Sequence, residues 1–169
     1  MALKIPILKD AVHVRYKGVY DYESLYKYVL NFLNDRKFDV EEARYKDKDA
    51  GPFGHEIEHK WRAEREVTPF IQYKMSVDTH FWDVKEFKAD TQNGSKLLTS
   101  GKFHIIINGT IVFDWQDTYK SGFWRWFLEF YVTKLFKNYY EYEFMSQLET
   151  FCLDLQRGIK QQVSMEAET

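Results

Sequence analysis

Residues 55–64, HEIEHKWRAE, alternate without a break: Ile57, His59, Trp61 and Ala63 fall on one side, and Glu56, Glu58, Lys60, Arg62 and Glu64 on the other. A period of two belongs to a β-strand with one face buried and one in water. Residues 71–81 repeat it, with Ile71, Tyr73, Met75, Val77, Thr79 and Phe81 opposing Gln72, Lys74, Ser76 and Asp78, and Pro69 separates the two runs. They are expected to be neighbours in an antiparallel sheet, because buried parallel strands are apolar on both faces. A sheet with one apolar face needs a cover, which limits the fold to layers of sheet and helix.

The cover is expected from residues 122–159, a long stretch with no proline and with glycine only at Gly122 and Gly158. Its later half places Met145, Leu148, Cys152, Leu155 and Ile159 at steps of three and four, with Glu149, Asp154 and Arg157 largely outside that stripe, and so reads as an amphipathic helix. Its earlier half, GFWRWFLEFYVTKLF, is different: Phe123, Trp124, Trp126, Phe127, Leu128, Phe130, Tyr131 and Val132 surround the axis. Three placements suit such a tract: between the sheet and long loops, against a partner chain, or on a membrane surface. No transmembrane span is expected, since one needs roughly 20 apolar residues and Arg125, Glu129, Lys134 and Lys137 interrupt this run. Asn138 marks the point where one helix can become two.

The chain of 169 residues suits one domain, and an aromatic content of 18% points to a core of large side chains. The formal net charge of -2 is not that of a general nucleic-acid binder, which carries a concentrated basic stripe. Cys152 is the only cysteine, so no intramolecular disulfide forms. Its place on the helical stripe makes it a buried small hydrophobe of a reducing compartment. The first residues, MALKIPILKDA, lack a continuous apolar run of the signal-peptide kind, and a cytoplasmic location is the expectation.

Elsewhere, Val12, Val14 and Tyr16 alternate with His13, Arg15 and Lys17 as a strand. Asp21 then caps a helix with Leu25, Tyr28, Val29, Phe32 and Leu33 on its apolar face, running to about Asp35. Residues 38–45 are extended, AGPFG at 50–54 is a break, and 90–94 is a turn cluster. Phe103, Ile105 and Ile107 share a side in a strand over 96–107. Asn108-Gly109 then reads as a hairpin turn into a strand holding Ile111, Phe113 and Trp115. The expected organisation is a loose N-terminal arm at 1–10, a single α+β domain at 11–162 and a flexible tail at 163–169. Within the domain, a curved, predominantly antiparallel sheet of about six strands packs against a long C-terminal helix and one helix after the first strand. In element order from Val12 to Ile159 the chain resembles the helix-grip fold of the START and Bet v 1 superfamily, with one helix rather than two before Phe38 and one strand fewer. The resemblance implies an apolar cavity between the sheet and the C-terminal helix.

No GxSxG, P-loop, dinucleotide fingerprint, CxxC or zinc-finger spacing occurs, so no cofactor and no metal are expected. His55 and His59 sit on a strand, where four positions separate them by about 13 Å, and His13, His80 and His104 are scattered along the chain. Strand parity places His59, Arg65, Thr79 and Asp83 among inward side chains, where a charge needs a partner. The leading expectation is a non-enzymatic domain that binds an apolar or amphipathic small molecule between sheet and helix, lined by Trp61, Tyr73, Met75, Phe103, Phe113 and Trp115. A second is a protein-interaction or homo-oligomerisation module anchored by Trp124, Trp126, Phe127, Phe130 and Tyr131, with peripheral membrane contact as its variant. A third is an acid-base enzyme in the same cup, with His59 moving the proton and Arg65 or Asp83 orienting the substrate.

Overall fold

A computed structural model describes residues 2–49, 51, 54–91, 94–118, 122–135 and 141–167. Its elements are β1 (Leu3–Pro6), β2 (Val12–Tyr20), α1 (Tyr22–Asp35), β3 (Asp39–Asp49), β4 (His55–Glu66), β5 (Ile71–Thr91), β6 (Gly94–Phe113), α2 (Gly122–Phe130) and α3 (Ser146–Ala167). π-helical turns at Tyr131–Leu135 and Glu141–Met145 follow α2 and precede α3. Every pairing is antiparallel, in the order β1-β6-β5-β4-β3, and β2 lies beside β1 along the same edge of β6. With the first long strand next to the last and a long helix on the apolar face, the architecture is helix-grip-like.

Helix α1 starts where the sequence places it. Asp21 takes an extended conformation, and its carboxylate accepts from the Ser24 backbone N–H at 2.8 Å and the Ser24 hydroxyl at 2.6 Å. The helix ends at Asp35, and beyond its Arg36 cap Lys37, with a φ of 61°, turns the chain so that the Phe38 N–H reaches the Leu33 carbonyl at 3.1 Å and the Phe38 ring is buried.

The core lies between the inner sheet face and α1 and α3. Helix α3 covers β2 and β6, and buries Leu148, Cys152, Leu155, Ile159 and Val163. Leu148, Leu155 and Ile159 have no exposed area, and each such side chain contributes roughly 1.5–3 kcal/mol of transfer free energy. The two helices touch closely at Gly158, where a Cβ would overlap the Tyr28 hydroxyl at 1.7 Å.

Four expectations need correction here. Asn108-Gly109 is no turn: β6 runs straight through it, with Asn108 opposite Ser76 and Gly109 opposite Met75. The glycine serves close approach instead, since a Cβ there would come within 2.5 Å of Ile7 Cδ1 and 3.1 Å of Cys152 Sγ. The two strands expected around it are therefore one, and β1 restores the count to six. The N-terminal arm is accordingly not loose, because Leu3–Pro6 pair with Thr110–Phe113 and the Ile7 N–H donates to the Gly109 carbonyl at 3.1 Å. At the other end, α3 continues through Ala167 with Val163 buried, past the expected domain limit at 162. Residues 168–169 and Asn138 lie outside the described residues.

The fourth correction concerns Asp83. The register of β5 against β6 shifts between Trp82 and Lys85, and Asp83 takes a φ of 56°. The bulge turns its side chain out to Lys102, at 2.7 Å, against the inward position that uninterrupted alternation predicts.

Candidate functional site

His59 is the one predicted catalytic residue that the fold surrounds with polar partners. Strand β4 points it inward, where it is 4% exposed. The first residue of α1 brings the Tyr22 hydroxyl to 2.5 Å from Nε2, and Glu42 of β3 brings Oε1 to 2.7 Å from Nδ1. Glu42 reaches this spot beside a register shift between Glu42 and Arg44 that bends the edge strand. One tautomer satisfies all three groups, with Nδ1–H donating to the carboxylate and Nε2 accepting from the phenol. Burial pushes the Tyr22 phenol well above its ordinary range, and the neighbouring Tyr45, Tyr26, Tyr20 and Glu42 add to the shift.

Aromatic rings enclose this relay. Trp61 stacks on His59 at 4.9 Å and 10°, and Tyr45 and Tyr26 approach at 5.0 and 5.3 Å. Two buried polar atoms of the same cluster, Trp61 Nε1 and the Tyr20 hydroxyl, have no hydrogen-bond partner among the described residues. Burial raises the Tyr20 phenol as well.

The other expected catalytic groups do not join His59. Asp83 is on the outer surface, and the Arg65 guanidinium lies 6.0 Å from the Phe151 ring centroid under α3, six strand positions from His59. Of the expected ligand-binding set, Trp61, Tyr73, Met75, Phe103 and Phe113 are all buried. The Tyr73 hydroxyl lies 2.9 Å from the Phe144 carbonyl and 3.1 Å from Gln147 Oε1, and burial pushes it up to about 12. Trp115 falls past the end of β6 in a turn, where Nε1 donates to the Thr68 carbonyl at 3.2 Å, so it does not continue the inward face.

Helix α2 shows the opposite arrangement, with large side chains in water. Phe123 is 67% exposed, Trp126 61%, Phe127 40% and Phe130 43%. They occupy positions i, i+3, i+4 and i+7, one face of the helix. Trp126 stacks on Phe130 at 5.8 Å and Phe127 on Tyr131 at 5.9 Å, while Val132 on the following turn is buried. The Trp124 side chain lies outside the described residues. No helix among the described residues is long and apolar enough to cross a membrane.

On the outer sheet face, pairing collects histidines that are far apart in sequence. Glu58, His80, His104 and Arg15 form one cross-strand row over β4, β5, β6 and β2. His13 Nδ1 lies 2.9 Å from His104 Nε2 with the rings stacked, and His80 stacks on Trp82 at 3.8 Å. Burial holds the His104 imidazole below its ordinary range, and Arg15, His13 and His80 add repulsion. A groove of about 360 Å³ opens here between Arg44, Glu58, Lys60, Asp78, His80 and Trp82.

Sequence reasoning missed Glu42 and Tyr22 as partners of His59. Strand parity carries a signal for Glu42, which pairs with Trp61 and shares its face, whereas the reach of Tyr22 depends on how α1 crosses the sheet. Neither a protein-family model nor a curated protein matches this chain.

Proposed function

We propose that this chain is an interaction module that docks into a groove of a partner protein through the aromatic face of α2. The observation that carries this reading is the exposure of Phe123, Trp126, Phe127 and Phe130 on a single helical face. That is the anchor spacing of helix-in-groove recognition. Taking fully exposed aromatic side chains at about 200 Å² each, the stripe presents roughly 400 Å² of apolar surface. That is the size of the largest apolar patch on a typical monomer, and such patches are often functional. It supplies about half of the roughly 800 Å² that one side of a stable interface buries. Between positions 120 and 137 the sequence holds Lys120, Arg125, Lys134 and Lys137 against one acid, Glu129, in a chain of net charge -2. The complementary groove is therefore apolar with an acidic rim, and two copies of α2 facing each other would repel.

The test replaces Trp126 and Phe130 together with glutamine. If the rings are exposed anchors, stability changes by no more than about 1 kcal/mol in total, as at other surface positions. Photo-crosslinking from position 127 in a cell extract then yields a discrete protein adduct that the double substitution abolishes. If the rings belong to the core, each costs about 3–5 kcal/mol and the thermal transition collapses. Concentration-dependent light scattering would assign the stripe to a second copy instead, and flotation with anionic vesicles would assign it to a bilayer.

A second reading places a small apolar or amphipathic molecule in the buried aromatic cluster beside His59. Trp61 Nε1 and the Tyr20 hydroxyl favour it, as buried donors without a described partner in an aromatic wall. In a catalytic version, a substrate proton is taken up by His59 through the Tyr22 hydroxyl, which passes its own proton to Nε2 as it accepts the substrate's, and Glu42 orients the imidazole. An environment-sensitive naphthylamine dye that binds the wild type and loses at least tenfold in affinity in Trp61→Phe supports this reading. Equal binding by both removes it.

A further inference from the structure

The outer face carries an arrangement that neither of these readings uses. Glu56 and Glu58 are two positions apart on β4 and project together, and pairing sets His80 of β5 directly opposite Glu58. His80 Nε2 lies 2.6 Å from Glu56 Oε1 and 3.9 Å from Glu58 Oε1. One carboxylate oxygen from each acid and one imidazole nitrogen all lie within 4.8 Å of one another. The three side chains are half-buried, at 29%, 25% and 31% exposure for Glu56, Glu58 and His80. We propose that Glu56, Glu58 and His80 form a binding site for one divalent first-row metal cation of the Zn²⁺ and Mn²⁺ class.

A cation with bonds of about 2.1 Å needs donor atoms roughly 3–4.2 Å apart, and side-chain rotation on two fixed strands covers the difference. The donors are already oriented from behind. Arg44 lies 3.5 Å from Glu58 Oε2, the oxygen that faces away from His80, and so leaves Oε1 for the metal. Trp82 stacks on the His80 ring at 3.8 Å and fixes its plane. Such outer contacts set ligand direction in metal sites. The metal takes the place of the proton between Nε2 and the Glu56 carboxylate, which is released to solvent.

Arg44, at 3.5 Å from Glu58, and Lys46 and Lys48 of β3, which pair with Glu58 and Glu56, are the charges that compete for these carboxylates. A divalent ion in direct contact with both carboxylates exerts twice the charge of an ammonium at shorter range. The imidazole donor selects against Mg²⁺ and Ca²⁺, which prefer oxygen alone. Three protein donors leave coordination positions open toward the groove, where water or a small anion beside Lys60 completes the shell.

Calorimetric titration of the full chain with ZnCl₂, MnCl₂ and MgCl₂ tests the site. One Zn²⁺ per chain is expected, with Mg²⁺ at least tenfold weaker. His80→Gln and Glu56→Gln each weaken Zn²⁺ by tenfold or more, while His13→Gln stays within twofold of the wild type and separates this site from the His13 and His104 pair. Co²⁺ quenches part of the wild-type tryptophan fluorescence, and Trp82→Phe loses that component while its calorimetric binding persists. Far-UV melting confirms that each variant folds, and if His80→Gln does not, the Glu56→Gln, Glu58→Gln pair decides. Absence of Zn²⁺ binding at millimolar concentration, or wild-type affinity in the variants, overturns the proposal.

Discussion

A carboxylate at a helix N-terminus is a small feature with a measurable pH signature, and Asp21 shows why. Burial pushes its carboxyl up, but the Ser24 side-chain and backbone hydrogen bonds and the Lys96 ammonium at 3.2 Å outweigh burial and hold it below the ordinary range. A carboxyl depressed on folding adds stability above its unfolded value, about 3.9 for Asp, and loses it as the pH falls through the lower folded value. Asp21→Ala is therefore expected to cost about 1 kcal/mol in urea unfolding at pH 7. Asp21→Asn keeps an acceptor for the Ser24 N–H but does not titrate. The gap between wild type and Asp21→Asn should be present at pH 7 and shrink as the pH falls below the unfolded value and through the lower folded one. A gap independent of pH would remove the ionic part of the cap.

At the scale of elements, what the sequence made legible depended on whether a pattern reports local geometry or distant contact. Period-two alternation over 55–64 and 71–81 places Ile57, His59, Trp61 and Ala63 and the run from Ile71 to Phe81 on the buried side, where the structure has them. Asp21 as cap and the stripe from Leu148 to Ile159 likewise follow from spacing alone. Asn108-Gly109 misled because a glycine has two uses in a strand, and the one that applies here depends on Ile7 and Cys152, both far away in the chain. Asp83 misled for a related reason: a bulge leaves side-chain chemistry unchanged while reversing every parity argument beyond it. The histidine row was illegible because it needs the register of four strands at once. In the aromatic tract, the sequence identified the side chains but not the exposure of Phe123, Trp126, Phe127 and Phe130, which is fixed by where α2 lies relative to the core.

At the scale of the whole molecule, α3 closes the apolar face and Cys152 reports on that closure. The thiol has no exposed area, and burial, with a smaller push from Glu149, raises it to about 12. A thiol-disulfide reagent at pH 8 should therefore leave the native chain unlabelled, and labelling should rise with urea in step with the loss of far-UV circular dichroism. Labelling well before that transition would mean that α3 lifts off as a separate unit. The same edge of the sheet has a consequence for how the chain is made. Leu3 pairs with Phe113, and Val12 with Ile107, so both N-terminal strands find their partners roughly a hundred residues downstream. At a synthesis rate of about 5–20 residues per second, they leave the ribosome about 5–20 s before β6 exists to receive them. During that interval their apolar alternation is open to any chaperone or neighbouring nascent chain, and the sheet is completed only when its last strand meets its first.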